Sequence, residues 1–255
     1  MPRACRWALP LSAAFLALIL LGALLQWGWR HRQLDRLMRA DPDRILADPA
    51  LARIALPLGR SLFAIHCAGC HGPEGEADRV KGVPDLRDGD YLYGVGRVSE
   101  IEGIVLHGIR GGDDKGWNLA AMPAYGTPHP YRSEPIKPLR PGEIRDVVQY
   151  LLAGQGRAAD AGAARRGRAL YVGKGGCYDC HGQDRYGDSA IGAPNLSDRI
   201  TLYGDGSAAA LYRSIAMGRA GVSPAFAHVL SPVEARAVAV YAGSLNAFNR
   251  KKAAR

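Results

Sequence analysis

Cys67-Ala68-Gly69-Cys70-His71 and Cys177-Tyr178-Asp179-Cys180-His181 are two copies of one pattern, C-x-x-C-H. Two intervening residues put both sulfurs on one side of a tight helical turn, and the next residue carries an imidazole beside them. That set of groups suits covalent attachment of haem: two thiols add across the vinyl groups and the histidine binds the iron. Zinc sites built from C-x-x-C elements place them about 15–20 residues apart. Here the copies lie 110 apart, and each already has its own histidine. The chain is therefore expected to carry two covalently bound haems c, with Cys67, Cys70, Cys177 and Cys180 as the attachment points and His71 and His181 as proximal iron ligands.

Outward from the motifs, the second half of the chain repeats the first. A shift of 110 brings His71 onto His181, Pro84 onto Pro194, Leu86 onto Leu196 and Tyr93-Gly94 onto Tyr203-Gly204. Ahead of each motif, Leu58-Gly59-Arg60 parallels Arg166-Gly167-Arg168. Once nine residues are dropped, Met122-Pro123-Ala124-Tyr125 meets Ser223-Pro224-Ala225-Phe226. A period this long, with one cofactor in each copy, means a tandem domain pair, since solenoid repeats run about 20–50 residues. The boundaries read as an anchor at 1–30, a polar stalk at 31–51, a first haem domain at 52–153, a small-residue flexible linker at 154–164, a second haem domain at 165–246 and a basic tail at 247–255. Both domains read as mainly α. Pro141 and Pro232 suit the first turn of closing helices, with Glu143 and Glu234 favourable near the helix amino terminus.

The amino terminus holds a nearly unbroken apolar run from Trp7 to Trp29. As a helix it spans the roughly 30 Å of a bilayer core, with tryptophans at its two ends where interfacial aromatics belong. A signal peptide would have a shorter apolar stretch and a small-residue cleavage site after it. An uncleaved, single-pass membrane anchor is the expectation. Arg30, Arg32, Arg36 and Arg39 outnumber Arg3 and Arg6, so the charge rule alone would put the carboxy-terminal side in the cytoplasm. The haem motifs argue for the periplasm, and that is the orientation expected. The net charge of +9 comes with no basic helix interleaved with aromatics, so nucleic acid is not an expected partner. The charge fits a docking surface close to membrane lipid.

Each proximal imidazole needs its other nitrogen held, or the ring turns away from the iron. Pro84 and Pro194 both lie thirteen residues past the histidine, in loops placed to offer a carbonyl for that purpose. On the opposite face a thioether would raise the potential and favour electron transfer. Of four methionines, Met122 and Met217 lie within the haem domains. Met122, standing in the first repeat, is expected on the first haem. The matching position in the second repeat is Ser223, a poor iron ligand, which leaves the second haem to Met217, to His228 or to an open sixth position.

With these residues assembled, the chain resembles the FixP/CcoP family, the membrane-anchored dihaem cytochrome c subunits of cbb3-type oxidases. The resemblance rests on both C-x-x-C-H motifs, on Val105–Arg110 leading to Met122-Pro123-Ala124-Tyr125-Gly126, and on Gly218–Val222 leading to Pro224-Ala225. It implies two tandem class I cytochrome c domains after an amino-terminal transmembrane helix. It further implies a periplasmic electron carrier between soluble cytochrome c or the bc1 complex and the catalytic subunit of a terminal oxidase, without bond-making chemistry of its own. Family members are thought to exchange distal methionines between domains. Two departures stand out: Ser223 replaces the family's second methionine, and Arg30–Ala50 replaces its acidic, Trp-rich segment. Service to another periplasmic oxidoreductase, or a gas-binding or peroxidase role at an open second haem, are the alternatives.

Overall fold

The computed structural model describes residues 8–130 and 136–246, with side chains from residue 13 onward. The expectations placed on Arg3, Arg6, Trp7 and the basic tail lie outside the described residues. The architecture is helical as expected, and among the described residues the extended segments meet only as isolated bridges.

Helix α1 runs Ala8–Arg39. Its stretch Ala13–Arg39 is long and apolar enough to cross a membrane, and Phe15, Leu18 and Leu24 stand more than half exposed along it. At about 1.5 Å per residue the whole helix is roughly 48 Å long, so its last turns reach well beyond a bilayer core of about 30 Å. Those turns are not a free stalk. Leu37 is fully buried, as is Ile45 in the 3₁₀ turn Pro42–Ala47, in a cluster with Ala55, Val98, Ala239 and Val240. The two Asp-Pro pairs start elements, as read. The Asp41 carboxylate accepts from Asp43 N, and the Asp48 carboxylate accepts from Ala50 N and Leu51 N at the head of α2, Pro49–His66.

Each C-x-x-C-H motif then forms a single helical turn, α3 (Ala68–His71) and α7 (Tyr178–His181). The remaining helices are α4 (Val98–His107), α5 (Pro141–Gly154), α6 (Ala161–Val172), α8 (Ala208–Met217) and α9 (Pro232–Leu245). Both closing helices begin as the prolines suggest. Glu143 accepts from Arg140 N at 2.7 Å and Glu234 from Ser231 N at 2.8 Å, which satisfies backbone donors that the helix start leaves open.

The packing departs from the order of the repeats. Helix α2 lies along α9 and α4 crosses α9, whereas α5 lies along α6 and touches α8. Each closing helix thus completes the haem unit of the opposite repeat. The crossings are close because glycine sits at each: a Cβ on Gly59 would run into the backbone of Ala237, and one on Gly167 into that of Asp146. The packing therefore pairs helices from either side of the boundary between 52–153 and 165–246. The first unit is α2, α3, α4 and α9; the second is α5, α6, α7 and α8. The segment 154–164, expected as a flexible linker, is a short connection whose ends are helix: Gly154 ends α5 and Ala161 opens α6. Between them, Ala159 N and Asp160 N donate to Gln149 Oε1, making a tight turn between two packed helices. Small residues allow that turn because α5 and α6 must come close, which is a different reason from flexibility.

Candidate haem sites

Both motif turns have the geometry that two thiols and an imidazole require. His71 N donates to Cys67 O at 2.9 Å and His181 N to Cys177 O at 3.0 Å, so each Cys-Cys-His set occupies one helical turn. Cys67 and Cys177 are half-buried, and burial pushes each thiol up to about 11. Burial also lowers the pKa of both proximal histidines, which keeps the imidazoles in the neutral form that has a lone pair to give.

The loops carrying Pro84 and Pro194 are built alike. Asp78 and Val83 pair through backbone hydrogen bonds of 3.1 and 2.9 Å, and Asp188 and Ala193 through two of 2.9 Å. Each pairing closes a loop that delivers the proline carbonyl. In the second pocket His181 Nδ1 lies 3.0 Å from Pro194 O, the contact expected to hold the ring. In the first, His71 Nδ1 is buried against the Pro84 carbonyl without reaching full hydrogen-bond geometry. Two thiols on one helical turn, a neutral imidazole beside a proline carbonyl and an apolar surround fit a haem at both sites.

The opposite faces are closed by the segments ahead of α5 and α9. Met122 N donates to Arg219 O at 2.8 Å and Arg219 N to Met122 O at 3.1 Å. Three positions on, Tyr125 N donates to Ile215 O at 3.1 Å, and the Tyr125 hydroxyl reaches Gly175 O at 2.5 Å. Met122 therefore packs into the cluster that holds Cys177, Tyr178 and Leu196. The expectation that Met122 serves the first haem is corrected: its lid has crossed to the second pocket along with α5. The second repeat does the reverse. Ser223 and Ile109 exchange backbone hydrogen bonds of 2.9 Å each, Phe226 N donates to Val105 O at 3.0 Å, and Phe226 packs with Cys67, Leu62 and Leu106.

Met217 is not brought to the second pocket. It ends α8 with 68 % of its surface exposed, outside the cluster that Met122 joins. His228 is exposed on a turn of the first unit, where Val229 N and Leu230 N both close onto Phe226 O, so it is not near Cys177 either. His107 sits at the end of α4 with Nδ1 3.1 Å from Asp113.

The two units meet across a near two-fold arrangement. Gly94 N donates to Ser189 O and Gly204 N to Arg79 O, at 3.0 and 2.9 Å. A Cβ on Gly82 would strike the Tyr203 ring, and one on Gly192 the Tyr93 ring. Arg110 ties this seam together, donating to the Tyr93 hydroxyl, to Ala120 O and to Gly221 O at 2.7–2.8 Å. Each loop that holds a proximal histidine is thus in direct contact with the Tyr-Gly segment of the other unit.

Comparison with known proteins divides the chain in the order of the repeats along the sequence. The family model for cytochrome c matches residues 57–155, and that for cytochrome c oxidase, cbb3-type, subunit III matches residues 162–241. The cbb3-type oxidase subunit CcoP of Rhodobacter capsulatus is 38% identical over 219 residues, covering 83% of this chain and 69% of its own length. The subunit FixP of Bradyrhizobium sp. is 37% identical over 217 residues, covering 85% and 70%. FixP of Azorhizobium caulinodans is 35% identical over 211 residues, covering 82% and 66%. The chain belongs to the CcoP/FixP family. It is a cytochrome c with two covalently bound haems, and it spans about two thirds of the length of these relatives.

Arg110, Arg236 and the paired tyrosines Tyr93 and Tyr203 escaped the sequence reading. Tyr93-Gly94 and Tyr203-Gly204 were visible as repeat matches, but nothing in their types says that each ring fits against a glycine of the other unit.

Proposed function

We propose that this chain is the dihaem electron-transfer subunit of a cbb3-type oxidase. It is held in the bacterial inner membrane by α1, with both haem units in the periplasm. Electrons would enter from soluble cytochrome c or the bc1 complex and leave to the catalytic subunit. Cys67, Cys70, Cys177 and Cys180 bind the haems, His71 and His181 are proximal ligands, and Met122 is the distal ligand of the second haem. The haems supply reversible one-electron chemistry; the protein supplies position and potential. A thioether on Met122 favours the reduced state. The carbonyl of Pro194 orients His181 at 3.0 Å.

The observation that carries this reading is the reciprocal contact of each proximal loop with the other unit, Gly82 against Tyr203 and Gly192 against Tyr93, which brings the two haem units together. A carrier needs such a path between its cofactors, whereas a storage or structural protein does not. The packing of α1 against the first unit supports the membrane-side placement of that unit.

Purification from the native membrane in mild detergent tests the proposal. Oxidase catalytic subunits should accompany the chain, and reduced soluble cytochrome c should reduce its haems within the complex. Recovery with a different oxidoreductase, and no cytochrome c oxidation, would favour the alternative of service to another periplasmic enzyme.

A further inference from the structure

Because the lids are exchanged, the serine that replaces a methionine faces the first haem, and the consequence is specific. Ser223 occupies the backbone place across from Cys67–His71 that Met122 occupies across from Cys177–His181. The reciprocal hydrogen bonds of Ser223 with Ile109 match those of Met122 with Arg219, and Phe226 N to Val105 O matches Tyr125 N to Ile215 O. The first pocket is therefore closed in full register, yet with a side chain whose only donor atom lies one atom short of where the thioether sulfur would lie. A neutral hydroxyl is also a hard, weak donor for ferrous iron. Around it stand Val105, Leu106 and Phe226, apolar residues packed with Cys67. The imidazoles of this unit other than His71 are engaged or turned outward: His107 Nδ1 lies 3.1 Å from Asp113, the His66 ring packs on Phe226 at 6.0 Å between centroids, and His228 is exposed.

We propose that the distal face of the first haem, beneath Ser223, is a binding site for a small neutral diatomic ligand of the carbon monoxide and nitric oxide class, with the Ser223 hydroxyl as its hydrogen-bond donor. The second haem, closed by Met122, does not take such a ligand. This rests on the proposed attachment of haem at both motifs. It places the open site at the first haem, whereas the repeats read along the sequence would place it at the second. Apolar walls, a single hydroxyl donor and no strong competing ligand are the features by which distal pockets admit diatomic ligands.

The test uses the full-length holoprotein in detergent, reduced with dithionite and titrated with carbon monoxide, with haem counted separately as its pyridine complex. Two haems per chain and one carbon monoxide per chain are expected. Ser223→Met should abolish that binding, weakening it at least a hundredfold, while His228→Ala leaves it unchanged. Met122→Ala should raise the stoichiometry to two. Wild-type protein with two haems and no carbon monoxide bound overturns the proposal, as does binding that survives Ser223→Met in a folded protein. A stoichiometry that stays at one in Met122→Ala overturns it independently of how Ser223→Met folds. A haem count below two would instead strike at the attachment reading itself.

Discussion

On the proposed ligation a single thioether separates the two haems of this chain, and its effect on potential can be isolated. Met122→His should lower the potential of the second haem by about 0.1–0.3 V, a fraction of the roughly 0.8 V that axial ligands command. The first haem should stay where it was, which a redox titration with both haems resolved would check. Acid stability offers a second handle on one residue. Glu143 at the head of α5 is held down to about 2, first by its hydrogen bond from Lys174 at 2.8 Å and then by Arg140 N. Its folded pKa lies below the ordinary 4.5, so the stabilisation is present above about 4.5 and disappears as the pH falls toward 2. Unfolding midpoints of the second unit should decline across that window, and Glu143→Gln should flatten the decline. At this scale the sequence was most readable. C-x-x-C-H fixes its own chemistry through spacing, and the thirteen-residue offset to Pro84 and Pro194 is a local property of one loop. Met217 misled because ligand type alone says nothing about which pocket a residue reaches.

Among the elements, the helix starts were legible because caps are local: Asp48, Glu143 and Glu234 each act within three residues of themselves. Which helix packs on which was not. Gly59 and Gly167 were visible as repeat matches, but nothing in that match says that a helix crosses at each, or which one. Both crossings should resist enlargement. Gly167→Ala places a Cβ against Asp146 O, and such overpacking costs about 1–3 kcal/mol, seen as a lower melting temperature with haem content retained. A second element-level device is Arg236 on α9. Its guanidinium pairs with the mostly buried Glu102 at 2.9 Å and donates to Met38 O and Ala40 O at 2.9 and 3.1 Å, satisfying carbonyls at the end of α1. Arg236→Ala strands Glu102 and should cost about 3–5 kcal/mol. Hydrogen exchange in the last turn of α1 should accelerate in that variant, while exchange in α6 should not change.

For the whole molecule, the exchange of closing helices means that neither repeat is a finished folding unit. A chain ending at residue 155 keeps α2, α3, α4 and α5 but lacks α9, so the first haem unit should remain loosely packed, with a weak Soret circular dichroism signal. A native-like signal from that fragment would contradict the exchanged packing. Two similar repeats make either pairing compatible with the pattern of apolar residues, so the sequence could not choose between them. Its one physical hint was the brevity of the segment between Gly154 and Ala161, which leaves α5 little choice but to fold back on α6. The order of closure has a consequence in time. The second unit is contiguous and complete once α8 has emerged, whereas the first waits for the last helix of the chain. At about 5–20 residues per second of synthesis, the stretch from His71 to Leu245 occupies on the order of tens of seconds. Throughout that interval the first pair of thiols has no lid, and the attachment machinery meets them on an open strand. The haem encountered earliest by that machinery is the one enclosed last.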